Sequence, residues 1–294
     1  MLYFTRPSPS APRPAPFPWP LAPAVIWMLV FFFIPLLLVL AISFASRGIY
    51  GGVRWAFTLS NYALIVDPLY LRIYLRSFLL AVATTGLCLV LGFPWAYFIA
   101  RCPVRWQGVW LLLVIIPFWT NFLVRTYAWM FILRTEGLMN TILMQIGLIE
   151  SPIEILYTNA AILIGLVYGY LPFMVLPLYA ALARLDLSLI EAAQDLYAGG
   201  WSVLQRVILP LTRPGIVAGC LLVFIPSVGA FITPDLLGGA RTMMVGNLIQ
   251  HEYLVIRDWP LGSAISFALM ALVLAGTLAY IRSGGTLQGL EERR

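Results

Sequence analysis

The sequence predicts an all-α membrane protein with six transmembrane helices, and three observations carry that prediction. Of its 294 residues, 62% are hydrophobic and 10% charged, and the mean hydropathy of +0.93 exceeds what a water-soluble domain sustains. Six apolar stretches, at 21–45, 77–100, 107–133, 158–183, 214–237 and 261–281, each reach the ~20 residues a helix needs to cross the hydrocarbon layer. The segments between them are short. They leave no room for a self-contained ATPase, a Rossmann enzyme or a nucleic-acid module.

Taken in order, residues 7–23 hold eight prolines, which excludes a helix there, so 1–20 is expected to be a disordered tail. The stretch 21–45 is too long for a signal-peptide core and reads as a retained helix. Arg101 and Arg105 mark the short turn between the second and third spans. An even number of spans puts both termini on one side; if that side is the cytoplasm, the inner segments hold more arginine than the outer ones. Residues 282–294 form the second tail. The net charge of +6 comes from arginine alone, because the chain has no lysine. Cys88, Cys102 and Cys220 are odd in number and lack metal-ligand spacing, so neither a disulfide framework nor a metal site is expected.

Pro35, Pro94, Pro117, Pro172, Pro177, Pro226 and Pro234 fall inside spans. Each removes a backbone donor and favours a kink, which suits helices around a cavity, although membrane helices are also richer in proline in general. Two charges lie within spans, Arg125 and Asp235. A charge at mid-bilayer costs about 2.5 to 3.5 kcal/mol, so both need a reason. Arg125 fits structural anchoring, by snorkelling outward or bonding a carbonyl. Asp235, in the helix-ending run FITPDLLGG, suits capping a loop or attracting a cation.

The long connection 184–213 reads as two short helices with a turn between them. Ser188 and Glu191 form an SxxE capping box for the first, with Leu189, Ala193 and Leu196 on one face. Ala198, Gly199 and Gly200 supply the turn. Ser202 and Gln205 repeat the box, Trp201, Leu204 and Ile208 line a stripe, and Pro210 stops the second helix.

That order of residues resembles the EAA loop of ABC-importer permeases: Glu-Ala-Ala, a glycine, nine residues, then Ile-x-Leu-Pro. Glu191, Ala192, Ala193, Leu209 and Pro210 match in register. Val207 replaces the usual isoleucine, and Tyr197 stands where the family glycine belongs, so Gly199 is expected to take over the turn. Four further runs, PFWTNFLVRTYAWM from Pro117, EGLMN from Glu136, LPLTRPGIVAGCLLVFIPSVGAF from Leu209 and PDLLGGARTMMVGNLI from Pro234, are similar to the spermidine/putrescine branch.

The resemblance implies the type I ABC-importer permease fold in a bacterial inner membrane, with both termini and the 184–213 loop cytoplasmic. It implies that Glu191, Ala192, Ala193, Gly199, Leu209 and Pro210 dock on an ABC ATPase dimer. Glu191 could cap its own helix or pair with a basic residue of that partner. A second, related permease subunit, a periplasmic substrate-binding protein and the lipid bilayer complete the implied partners, with no nucleic acid. The chain would be non-catalytic and hold no cofactor of its own, since ATP and Mg belong to the ATPase. Its substrate would be a small cation, most readily a polyamine. Other members of the branch handle thiamine, ferric iron or opines.

A polyamine calls for carboxylates and aromatic faces. Asp235, Trp119, Tyr127 and Tyr170 are the candidate pathway residues, with Trp129 and Tyr168 further aromatics; packing or interfacial anchoring would equally account for any one aromatic. Glu136 and Glu252 are expected outside the membrane. An ion-coupled carrier would need a central acid, and no span has one. Catalysis is disfavoured because His251 has only Glu252 beside it.

Overall fold

The computed structural model describes residues 21–239 and 242–280, so the two expected tails, 1–20 and 282–294, lie outside the described residues. The chain divides into two units, residues 1–41 and 42–294. Most of helix α1 (Ala22–Ser43) belongs to the first unit. It is apolar on every side and exposed throughout its first turns, with Trp27, Met28 and Phe32 more than half open. Such a helix has no stable place in water and suits lipid contact.

The second unit opens with a small antiparallel hairpin, β1 (Ser46–Arg47) and β2 (Val53–Arg54), with Ser46 opposite Arg54. Buried Asn61 of α2 (Ser60–Ile65) donates to the carbonyls of Ser43 and Ala45 and fixes the entry to the hairpin. α3 (Pro68–Arg101) starts earlier than the apolar stretch 77–100, because the Asp67 carboxylate caps it through the Leu69 N–H at 2.9 Å and Pro68 occupies its first turn. Its 34 residues rise about 51 Å, more than the hydrocarbon layer is thick.

The expected third span is not one helix. α4 (Val104–Ile115) passes into a 3-10 turn (Ile116–Trp119), and α5 (Phe122–Leu133) then leaves in a new direction. Segments 104–119 and 122–145 meet at 89°. Pro117 removes a donor and Thr120 Oγ1 donates to its carbonyl at 2.7 Å, while Asn121 caps α5 by accepting from the Leu123 N–H. A short helix, α6 (Leu138–Gln145), follows.

α7 (Asn159–Leu182) is continuous despite Pro172 and Pro177. After α8 (Ser188–Asp195), α9 (Gly200–Val203), a π-helical turn (Leu204–Ile208) and α10 (Leu209–Leu211), the chain bends by 71° at buried Thr212 into α11 (Arg213–Val228). α11 ends at Val228, nine residues short of the end of the expected 214–237 span. The remainder forms a separate π-helical turn, Pro234–Gly238. α12 (Val245–His251) and α13 (Trp259–Tyr280) complete the unit.

The core forms where α3, α7 and α11 pack on one another, around Cys88, Ile99, Met174, Leu178 and Val223. Gly215 makes the α7–α11 approach possible, because a Cβ there would stand 2.5 Å from the Ala181 Cβ and 2.8 Å from the Pro177 oxygen. Among the described residues, four helices, α1, α3, α7 and α13, are long and apolar enough to cross a membrane, and the number rises to six if each bent pair counts as one span.

Candidate functional site

Two regions gather the loop residues and one of the pathway residues singled out by sequence, and α7 connects them. Its C-terminus leads into the 184–213 loop, while its N-terminus borders an open cavity, some 36 Å away for 24 residues.

In the loop, α8 begins without a capping box. Asp186 Oδ1 accepts the Ser188 N–H at 3.0 Å, and the hydrogen bonds from Ser188 hold the Asp186 carboxyl below its ordinary range. Leu187 is the capping position and makes no side-chain bond, so Glu191 is free of the box expected for it and stays exposed. The second expected box is also absent: Gly199, not Ser202, precedes α9. In both cases the helix begins at a different residue from the one the motif suggested.

The turn likewise differs from expectation. Tyr197 itself adopts the left-handed conformation, with φ of 60°, while Gly199 is extended at φ −66°. The Ala198 N–H bonds the Ala193 carbonyl and the Tyr197 N–H bonds that of Gln194, the paired bonds of a Schellman ending. Tyrosine therefore occupies the backbone position where glycine would be unstrained, its side chain 97% exposed.

Ile190, Val203 and Ile208 seat the loop on the core. Leu187, Leu189, Leu196 and Trp201 point into the open, as do Glu191 and Ala192, while Ala193 is half-buried. Leu209 is half-buried and Pro210 exposed in the last turns before the bend at Thr212, whose hydroxyl donates to the Ile208 carbonyl at 2.8 Å. A largely apolar face, with Glu191 and Ala192 among large exposed side chains, is thus presented next to a sharp joint in the path to α11.

At the other end of α7 lies a cavity of about 1190 Å³. Asp235, Glu136 and Glu154 line it with Arg134, Phe131 and Tyr157. Three elements bring the carboxylates together. Buried Asn140 donates to the carbonyls of Thr135 and Ile153 at 2.9 Å and accepts the Ile153 N–H at 3.1 Å, fastening the Glu136 and Glu154 segments to each other. The Tyr157 N–H bonds the Leu237 carbonyl at 2.8 Å and its ring lies against Gly239, which fixes the turn carrying Asp235. The π-helical turn then leaves Asp235 exposed to the cavity.

Of the candidate pathway residues, only Asp235 lines this cavity. Trp119 sits on the 3-10 turn, 77% exposed, and Tyr127 is exposed on α5. The Tyr170 hydroxyl donates to the Pro226 carbonyl at 3.3 Å and ties α7 to α11. Glu154 and Asn140 were missed by sequence reasoning. Asn140 lies in the EGLMN run, which signalled a role without saying which, and Glu154 stood in an unremarkable polar segment. Arg125 lies over the rings of Phe118 and Phe122, 4.7 and 5.6 Å from their centroids. Glu252 is 4% exposed, and burial raises its carboxyl pKa.

Helices that expose apolar sides, with a polar cavity at one end of α7 and an exposed helical pair at the other, define the class: a helical membrane component. Residues 89–283 match the family described as the binding-protein-dependent transport system inner membrane component, and the chain belongs to that family. It is 45% identical over 261 residues to the spermidine/putrescine transport system permease protein PotB of Salmonella typhi, covering 89% of this chain and 91% of that one. With PotB of Escherichia coli K12 the identity is 44%, covering 89% and 95%. The fold is similar to that of a chain in the crystal structure of a bacterial ABC transporter that imports the acidic polysaccharide alginate, with a TM-score of 0.65 at 18% identity, covering 88% and 91%. A chain of the MetNI methionine ABC transporter is similar at a TM-score of 0.53 and 16% identity, covering 77% and 99%.

Proposed function

We propose that this chain is a permease subunit of an ATP-driven importer that passes a polyamine, spermidine or putrescine, from a periplasmic binding protein to the cytoplasm. The observation that carries the reading is the three-carboxylate cavity at one end of α7 with the Glu-Ala-Ala loop at the other. In this reading the chain crosses the inner membrane six times, with α4 and α5 together making the third crossing and α11 the fifth, and both termini and residues 184–213 lie in the cytoplasm. Glu136, Glu154 and Asp235 then face the periplasm and attract the released polycation, while Phe131 and Tyr157 offer aromatic faces to its ammonium groups.

Glu191, Ala192, Ala193, Gly199, Leu209 and Pro210 dock on a separate ATPase subunit, which alone binds ATP and Mg. Small side chains at 192 and 193 let the helix lie close to its partner. The bend at Thr212 passes motion of the loop directly to α11, and α7, packed on α11, carries it to the cavity. An ATPase dimer offers two grooves, so a second, related permease subunit completes the pair.

The test is uptake of labelled spermidine by cells that express the complete transporter with Glu136→Gln, Glu154→Gln and Asp235→Asn combined. Loss of the three charges should lower uptake at limiting spermidine by roughly tenfold, with the ATPase still bound to the membrane. Wild-type uptake by that variant would remove the cavity from the pathway.

A further inference from the structure

The geometry points to Arg125 as a fixed positive barrier on the cation route, one that keeps polyamines in the acidic cavity until α5 and α7 move. This rests on the polycation reading above. Arg134, the residue just after the end of α5, lines the acidic cavity, and Arg125 lies nine residues earlier, within α5, about 14 Å away along the helix axis. Thr158, at the start of α7, lines the acidic cavity too. Gly165, Tyr168 and Gly169, two to three turns further along α7, border a second cavity of about 10 Å³ together with Arg125. The two cavities therefore follow one seam between α5 and α7. Trp129 and Tyr168 meet edge to face across it, their ring centroids 5.4 Å apart.

The Nε and Nη1 atoms of Arg125 are buried with no acceptor among the described residues, the side chain as a whole is half-buried, and the faces of Phe118 and Phe122 lie against the group. Aromatic faces soften the cost of holding the charge but do not cancel it, as a carboxylate would. The field of Arg125 therefore extends along the seam in a medium that screens it poorly. An ammonium group drawn in by Glu136, Glu154 and Asp235 meets a like charge about two and a half turns further on. Attraction at the mouth followed by repulsion within retains the cargo without letting cations run down their gradient.

The experiment uses the complete transporter in liposomes, without ATP or binding protein, and follows the leak of labelled spermidine and of tetraethylammonium. Arg125→Gln should raise both leaks by roughly tenfold and leave sucrose retention unchanged, while Arg125→Lys should stay within about twofold of wild type. Gly169→Asp supplies an independent arm. A Cβ there meets only the Phe122 ring at 3.8 Å, so a carboxylate fits beside the guanidinium and should open the same leak by neutralising it. Assembled variants that remain as tight as wild type would overturn the barrier, and so would an Arg125→Lys variant as leaky as Arg125→Gln, since packing would then be the seal. If the wild-type complex takes up no polyamine under ATP but Arg125→Gln leaks tetraethylammonium, the cargo assignment fails and the barrier stands.

Discussion

Replacing Tyr197 by glycine should strengthen the turn that shapes the docking loop. Tyr197 holds φ of 60° at the end of α8, where an L-residue suffers a clash of its Cβ that costs about 1–2 kcal/mol. Its side chain is 97% exposed, so removal forfeits almost no burial. Glycine gains freedom in the unfolded chain, which offsets about 0.4–1 kcal/mol of the relief. The net expectation is a gain of about 0.5–1 kcal/mol, a factor of about two to five in the local opening equilibrium. The amide of Ala198, bonded to the Ala193 carbonyl, reports that opening directly. Hydrogen exchange at Ala198 in the Tyr197→Gly protein should be slower by that factor. Exchange equal to or faster than wild type would refute the argument from strain and imply that the tyrosine ring holds the turn through contacts of its own.

Three further outcomes follow from the packing and the charges. Gly215→Val should lower the thermal midpoint in detergent by the equivalent of about 1–3 kcal/mol, because the new atoms overlap the Pro177 oxygen and Ala181. Asn140→Ala leaves the Ile153 N–H without its partner and should cost about 1–3 kcal/mol, while raising the half-saturating spermidine concentration more than it lowers the maximal rate. Glu252 is pushed above the ordinary carboxylate pKa by burial and then by Asp258, against the opposing pull of His251 and Arg47. The folded state therefore holds its proton more tightly than the unfolded chain does. The stabilisation this gives is complete below the ordinary carboxylate range and is lost as pH rises through the raised value. Glu252→Gln should flatten that decline when thermal midpoints are measured from pH 4 to 8; an unchanged slope would exclude Glu252 as its source.

Hydropathy made α1, α7 and α13 legible almost to the residue, since each is a single apolar run with no internal reset. It failed where local chemistry redirects the chain without a change of polarity. Pro117 with Asn121 breaks 107–133 into α4 and α5, and Gly229 ends α11 early, yet both segments stay predominantly apolar on either side of the break. The start of α3 was hidden for the opposite reason: Arg72 and Arg76 depress the hydropathy of a stretch that Asp67 and Pro68 make helical. In the 184–213 loop the two helices were legible, but the capping residues were not, because Asp186 takes the Ser188 N–H that the Glu191 carboxylate would accept in a capping box. The cavity was legible only in Asp235. Glu154 joins it through the long-range clasp of Asn140 on Ile153, which no periodicity encodes.

The most direct test of ATP-driven transport is spermidine uptake into liposomes that contain the complete transporter and its binding protein, compared under ATP hydrolysis and under a proton gradient alone. Uptake that requires hydrolysis and stops when the ATPase can bind but not cleave ATP is the predicted result. Uptake that continues on the proton gradient with ATP absent would contradict the account.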